Sequence, residues 1–412
     1  MRIFLVFKVT FLSLGLSALS CAQQPKEQKQ LKRDQSSKEI IVGANRTTQY
    51  MPLLQNKKVG VVANQTSVIF KPSKALEEDA VFTHLVDSLL TMGIQITKVF
   101  SPEHGFRGQA DAGEEVSDGT DVRTGLPIVS LHGKHRKPTL DHLKGIDIML
   151  FDIQDVGVRF YTYIATLQLV MEACAEANIP VIVLDRPNPN GHYVDGPTLE
   201  PEYASFLGMN EIPLVYGMTI GEYASMINEE RWLENGDEVK LKVIPLLHYT
   251  HNSSYSLPIR PSPNLPNDTA IALYPSLGLF EGTNINAGRG TEFQFQRYGA
   301  SFLDSTAYDF TYIPKPNFGS KYPKEEGKIC FGQDLAEYSK MKGISLQWLL
   351  DAYVNCVDKS KFFNQEGFAR HAGTSKLQEQ IEAGWEEQAI KNSWEADLQR
   401  FKEIRKKYLR YP

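Results

Sequence analysis

IDIMLFDIQDVGVRFYTYIATLQLVMEACAEANIPVIVL, residues 146–184, reads as a strand, a helix and a second strand. An apolar run at Ile146–Phe151 ends in carboxylates, and Val181–Leu184 is a second continuous apolar run. Between them, Tyr161–Ala177 carries Ile164, Leu167, Met171 and Cys174 on one face, at spacings of three and four. Short apolar runs without alternation suit strands buried on both faces, and a helical crossover between two of them is the unit of a parallel sheet. The pattern extends in both directions. Further candidate strands are Lys58–Ala63, Ile96–Phe100, Ile128–Leu131 and Lys240–Ile244, and further candidate helices His84–Met92 and Thr219–Trp232. The expected fold class is therefore α/β around a parallel sheet.

Five of the six candidate strands run into polar residues: Asn64-Gln65, Ser101-Pro102-Glu103-His104-Gly105, His132-Gly133, Asp152-Ile153-Gln154-Asp155 and Asp185-Arg186-Pro187-Asn188. In an open parallel sheet the carboxyl ends of the strands line one crevice where ligands bind, so these groups are expected to converge. Downstream, Pro258-Ile259-Arg260-Pro261-Ser262-Pro263-Asn264-Leu265-Pro266 cannot continue regular structure and marks the expected domain change, with one domain over 40–262 and a second over 267–412. The second domain mixes a glycine-rich polar segment, Glu281 to Gln296, with helical patterns at Leu346–Val357 and Ala389–Tyr408.

Composition bounds the function. The chain has 412 residues, 42% hydrophobic and 23% charged, and its net charge of −5 supplies no basic field for phosphate backbones, so nucleic acid is not an expected partner. The apolar stretch Val9–Leu19, flanked by Arg2 and Lys8, is too short to span a bilayer and reads as a signal peptide over 1–20. Small residues lead into Cys21, and a run of Gln, Lys and Glu follows, a pattern that resembles a bacterial lipoprotein cleavage site. The expectation is an exported lipoprotein, acylated on Cys21, tethered through 21–39 and touching the membrane only through that anchor. The remaining Cys174, Cys330 and Cys356 show no metal-ligand spacing. Cys330 and Cys356 are a conceivable disulfide pair.

Four clusters could carry chemistry. Glu103 and His104 sit between a proline that directs the chain and a glycine that permits a sharp turn, and a half-buried carboxyl there can serve as general acid. Asp152 and Asp155 could supply the second carboxylate of a glycoside hydrolase. Asp155 could equally cap the following helix or pair with Arg159. Tyr161 and Tyr163 could stack on a sugar. Arg186 offers a planar fork for a ligand carboxylate, with Asp185 as the alternative partner. The fourth cluster, Glu281 to Glu292, is dense in amides, carboxylates and glycine, as a binding loop would be. No GxGxxG follows the first strand, and GxxxxGK[ST] and GxSxG are absent, which disfavours nucleotide-dependent and α/β-hydrolase chemistry. Glu103, His104, His132, His135 and Asp152 match no metal-site spacing, and no cofactor or metal is expected.

Taken together, SPEHGFRG at 101–108, FDIQDVGVRFYTYI at 151–164, DRPNPNG at 185–191 and EGTNINAGRGTEFQF at 281–295 resemble the NamZ-type exo-β-N-acetylmuramidases, once catalogued as a domain of unknown function. The likeness runs from about Val59 to the C-terminus. It implies a Rossmann-like domain joined to a smaller mixed α+β domain, and release of terminal, non-reducing N-acetylmuramic acid from peptidoglycan fragments. Under it Glu103 is the expected acid/base. His104 and Asp152 join it as catalytic candidates, and Asn64, Asp155, Arg159, Tyr161, Tyr163, Arg186, Asn284, Arg289 and Glu292 become expected substrate contacts, with Arg186 facing the lactyl acid. The second catalytic group stays open between Asp152, Asp155 and the substrate's own acetamido group. Two other classes remain to be weighed, a cell-wall-sugar binding lipoprotein without turnover and a metal-dependent amidase or deacetylase.

Overall fold

The computed structural model describes residues 38–71, 81–108, 114, 117–338, 341–364 and 367–412. The chain divides into Met1–Lys38 and Glu39–Pro412, and everything below concerns the second unit. The expected signal peptide, Cys21 and nearly all of the tether lie outside the described residues.

Seven strands form the main sheet: β1 (Val59–Ala63), β2 (Ile96–Ser101), β3 (Gly119–Thr120), β4 (Pro127–Ser130), β5 (Ile148–Asp152), β6 (Val181–Leu184) and β7 (Leu241–Ile244). Their spatial order is β7-β6-β5-β1-β2-β4-β3, parallel throughout except for the antiparallel edge strand β3. Starting from β1, the chain builds outward through β2 and β4, then returns to the other side of β1 for β5. The order therefore reverses between β1 and β5, the position where an open α/β sheet splays its connections apart.

Burial on both faces explains why the strands are apolar without alternation. Val59, Val61 and Ala63 of β1, Ile148 and Leu150 of β5, and Ile182 and Leu184 of β6 face one apolar layer. That layer is shared with Tyr50 and Leu54 of the helix Thr47–Leu54 and with Leu85 and Leu89 of the helix Leu85–Thr91. The intervening Val62, Met149, Phe151, Val181 and Val183 face the opposite layer, where the helices Tyr163–Glu176 and Ile220–Glu229 pack. The latter helix starts with a box legible in sequence. Thr219 Oγ1 accepts from the Glu222 amide (3.2 Å), and Glu222 Oε2 accepts from the Thr219 amide (2.9 Å).

The second apolar layer continues without a break into the C-terminal part. It takes in Leu273 of the helix Asp268–Leu277, Tyr298 of the strand Arg297–Ala300, Trp348 of the helix Gln347–Val354 and Phe401 of the helix Glu387–Lys406. A three-stranded antiparallel sheet lies here, with Cys330–Asp334 between Arg297–Ala300 and Phe310–Tyr312. The proline-rich crossing at 258–266 thus links two parts that share one core. Cys330 and Cys356, weighed as a disulfide, are separate buried free thiols.

Candidate active site

β2 delivers Glu103. The strand ends at Ser101, whose carbonyl accepts from the Leu131 amide (2.8 Å), and a tight turn follows in which the Gly105 amide donates to the Pro102 carbonyl (3.0 Å). His104 holds φ +69° inside that turn and is almost fully buried. Left-handed backbone at a side chain other than glycine is strained by about 1–3 kcal/mol and clusters at functional sites. Glu103, immediately before this residue, meets the start of the helix that begins at Tyr163. Thr162, at the N-cap of that helix, makes no capping bond; its hydroxyl donates to Glu103 Oε2 at 2.7 Å. Thr162 thereby fixes the orientation of the carboxyl.

Glu103 forms one wall of a cavity of about 390 Å³, within the range of small-molecule sites. His104 and His132 flank it from the carboxyl ends of β2 and β4. Ser262 and Asn264 come from the proline-rich crossing, Glu281 and Arg289 from the glycine-rich segment, and Arg370 and His371 from the helix Phe368–Ala372. Its aromatic side is organised by Tyr274, which meets Phe160 at 5.2 Å, Tyr161 at 6.0 Å and Phe295 at 4.8 Å between ring centroids, all edge to face. Four buried polar atoms of lining residues have no hydrogen-bond partner among the described residues: His132 Nδ1, Tyr161 Oη, Asn264 Oδ1 and Arg289 Nε. Apolar faces with a few converging, unsatisfied polar groups are what a sugar site requires.

Arg289 and Glu281 form an ion pair at 3.0 Å. Burial would raise the Glu281 carboxyl, but Arg289, Lys324 and His371 outweigh it and hold the group below the ordinary carboxylate range. Arg289 is presented by two left-handed glycines, Gly288 at φ +79° and Gly290 at φ +77°. A Cβ at Gly288 would meet the Phe293 carbonyl at 2.4 Å, and one at Gly290 would meet Pro323 at 2.7 Å. The glycines of the motif are therefore dictated by sterics.

Of the expected site residues, Glu103, His104, Tyr161 and Arg289 line the cavity. Asp152 and Arg186 do not. They form a buried two-point pair (Nε to Oδ1 2.6 Å, Nη2 to Oδ2 2.8 Å), 0% and 3% exposed, and Arg186 also donates to the Val68 carbonyl at 3.1 Å. Neither is available as a catalytic carboxylate or as a fork for a ligand acid. Asp185, the alternative partner weighed for Arg186, accepts instead from Thr219 Oγ1, the Gly221 amide and Tyr411 Oη. The reversal point between β1 and β5 is thus filled by the protein's own polar groups, and the cavity is displaced toward β2 and β4.

Other expectations are corrected in the same way. Arg159 neither pairs with Asp155 nor reaches the cavity. Its fully buried guanidinium donates to the carbonyls of Pro197 (2.8 Å), Ile212 (2.9 Å), His371 (3.2 Å) and Ala372 (2.6 Å), tying the two halves of the chain together. Asn64 donates to Tyr163 Oη at 2.9 Å, and Tyr163 donates to the Pro261 carbonyl at 3.2 Å, so both lie beneath the site, supporting Tyr161 and the crossing. Asn284 is exposed and donates to the Lys361 carbonyl at 2.8 Å, and Glu292 is exposed outside the cavity. Thr162, Asn264, Tyr274 and Glu281 are functional candidates that sequence reasoning passed over, although Glu281 opens a motif it had quoted. Among the described residues no three of His, Cys, Asp and Glu gather as a metal-holding group.

Asp155 is no helix cap either. It accepts from the Gly157 amide at 2.7 Å and from Tyr216 Oη, and burial pushes its carboxyl up to about 6 against those donors. A carboxyl raised in the folded state above its unfolded value near 3.8 favours folding fully below that value and loses this advantage as pH rises through 6. The stability of wild type relative to Asp155→Asn should therefore fall by about 2 kcal/mol between pH 4 and 7, read by denaturant unfolding across that window. A difference that stays constant with pH would show that Asp155 titrates normally.

Two family models match the chain, the N-terminal part of exo-beta-N-acetylmuramidase NamZ over residues 59–269 and its C-terminal part over 272–411. A peptidoglycan beta-N-acetylmuramidase NamZ from Bacillus subtilis (strain 168) is 39% identical over 383 residues, covering 88% of this chain and 89% of that protein. Two crystal structures of DUF1343 family proteins from Bacteroides fragilis NCTC 9343 share the fold. One has a TM-score of 0.81 at 42% identity, covering 91% of this chain and 99% of its own. The other has a TM-score of 0.75 at 27% identity, covering 90% and 99%.

Proposed function

Since the chain belongs to the NamZ family of exo-β-N-acetylmuramidases, we propose that its cavity holds the terminal muramyl residue of a peptidoglycan fragment and that Glu103 is the general acid. The activity is that of a glycosidase releasing N-acetylmuramic acid from the non-reducing end. The observation that carries the assignment of Glu103 is its carboxyl group, oriented by the Thr162 hydroxyl on the wall of a cavity with an aromatic side.

In this reading Glu103 gives its proton to the glycosidic oxygen as the bond to C1 breaks, and the departing sugar leaves as an alcohol. Positive charge then develops at C1 and the ring oxygen. Glu281, kept ionised by its cationic neighbours, is the other carboxylate that lines the cavity among the described residues and supplies negative charge to that transition state. Water provides the hydroxyl that ends on C1 and restores the proton. The role once open to Asp152 or Asp155 passes to Glu281 or to the substrate's acetamido group. Incubating the protein with an aryl N-acetyl-β-muramide tests the reading. Release of N-acetylmuramic acid is expected, whereas binding of the muramide without release would leave a sugar-binding protein.

Export and acylation of Cys21 complete the proposal, supported by the short apolar stretch and the small residues before that cysteine. No helix among the described residues is long and apolar enough to cross a membrane. Cys21→Ser should abolish metabolic labelling with palmitate and release the protein from membranes; labelling that persists would refute the anchor.

A further inference from the structure

The Glu281–Arg289 pair stands where the cavity described above meets a second one of about 530 Å³, which both residues also line together with Lys324. Glu281 occupies only part of the guanidinium. Arg289 donates Nη2 to it, lies 5.4 Å from the Phe295 ring centroid and has a buried Nε without a partner among the described residues. Lys324 is committed to the carbonyls of Phe280 (2.9 Å), Glu281 (3.0 Å) and Thr283 (2.6 Å). Arg289 and Lys324 together thus bring two cationic side chains to one carboxylate. Glu114, which also lines the second cavity, is paired with Lys321 at 2.7 Å and leaves both cations to Glu281.

We propose that Arg289 reads the 3-O-lactyl carboxylate by which N-acetylmuramic acid differs from N-acetylglucosamine. The inference rests on the function proposed above and names the group that makes the site selective. A sugar carboxylate entering the cavity sheds water and needs a charge-assisted partner, and a guanidinium fork can bridge two carboxylates at once. Arg136 and Arg370 also reach the cavity but are exposed on its rim, and Arg136 is laid over the Phe206 ring at 4.5 Å. Arg289 is 23% exposed, so its charge is screened less by water. Glu281 and the flanking glycines hold the fork in place before the ligand arrives, which lowers the ordering cost of binding.

The experiment compares binding of N-acetylmuramic acid with that of its lactyl methyl ester, by calorimetry or as competitive inhibition of aryl-muramide hydrolysis. Wild type should prefer the acid by about 30-fold or more, the size of a charge-assisted hydrogen bond. Arg289→Gln should lose that factor for the acid, change less than about 3-fold for the ester, and so erase the preference. Arg136→Gln and Arg370→Gln should keep it. Arg289→Lys, which retains the charge without the fork, should fall between and serves if the glutamine variant does not fold. A preference that survives in both Arg289 variants, that disappears in a rim variant, or that wild type never shows overturns the proposal. Wild-type turnover of the muramide is measured in parallel: its absence would refute the glycosidase reading itself, whereas turnover with a persistent preference would refute only the role of Arg289.

Discussion

Glu103→Gln is expected to lower kcat for hydrolysis of a muramyl disaccharide by about 10³-fold while leaving the fold and KM nearly unchanged. Glutamine keeps the shape of the side chain and an oxygen that can accept from Thr162 Oγ1, so the turn at His104 and the N-cap of the helix Tyr163–Glu176 keep their contacts. What is lost is the proton. General acids contribute about 10²–10⁴-fold, most where the leaving group most needs protonation. The loss should therefore be far smaller on an aryl muramide with an acidic phenol than on the disaccharide, and this contrast separates an acid from a binding residue. Equal losses on both substrates would remove Glu103 from that role.

Arg186→Met should cost stability rather than chemistry. It removes one partner of a pair buried at the reversal point of the sheet and leaves the Asp152 carboxylate with neither of its guanidinium contacts. Breaking such a pair costs about 3–5 kcal/mol, against a total of about 5–15 kcal/mol for a typical domain. The variant is expected to unfold at markedly lower denaturant or accumulate as insoluble protein. The double change Asp152→Leu with Arg186→Met, which removes both charges, should recover most of the loss and retain turnover per folded molecule. A single variant that stays fully stable but loses turnover would return Arg186 to the substrate.

The two outcomes differ because the same sequence pattern, a charged residue just past an apolar strand, has two fates. Past β2, Glu103 meets a threonine and a cavity. Past β5 and β6, Asp152 and Arg186 meet each other. Arg159, in the middle of a motif, bonds to carbonyls as distant in sequence as His371 and Ala372, and no local pattern announces that. Thr162 and Tyr274 were passed over for a related reason. A threonine before a helix reads as a cap, and a tyrosine in an apolar helix reads as core.

Sequence alone determined the strands of the parallel sheet to within two residues, three of the helices beside them though not Thr47–Leu54, the family and the placing of Glu103 at a strand end. These are local consequences of burial: a strand covered on both faces must be apolar along its length, and its polar residues must begin where it ends. Tertiary structure decided which of those polar residues face a ligand and which face one another. The choice depends on ångström-scale approach between segments dozens to hundreds of residues apart, where a buried charge takes the nearest partner that satisfies it. It narrowed the site to the ends of β2 and β4, withdrew Asp152, Arg159 and Arg186 from it, and brought Glu281 and Arg289 across from the second half of the chain to face Glu103.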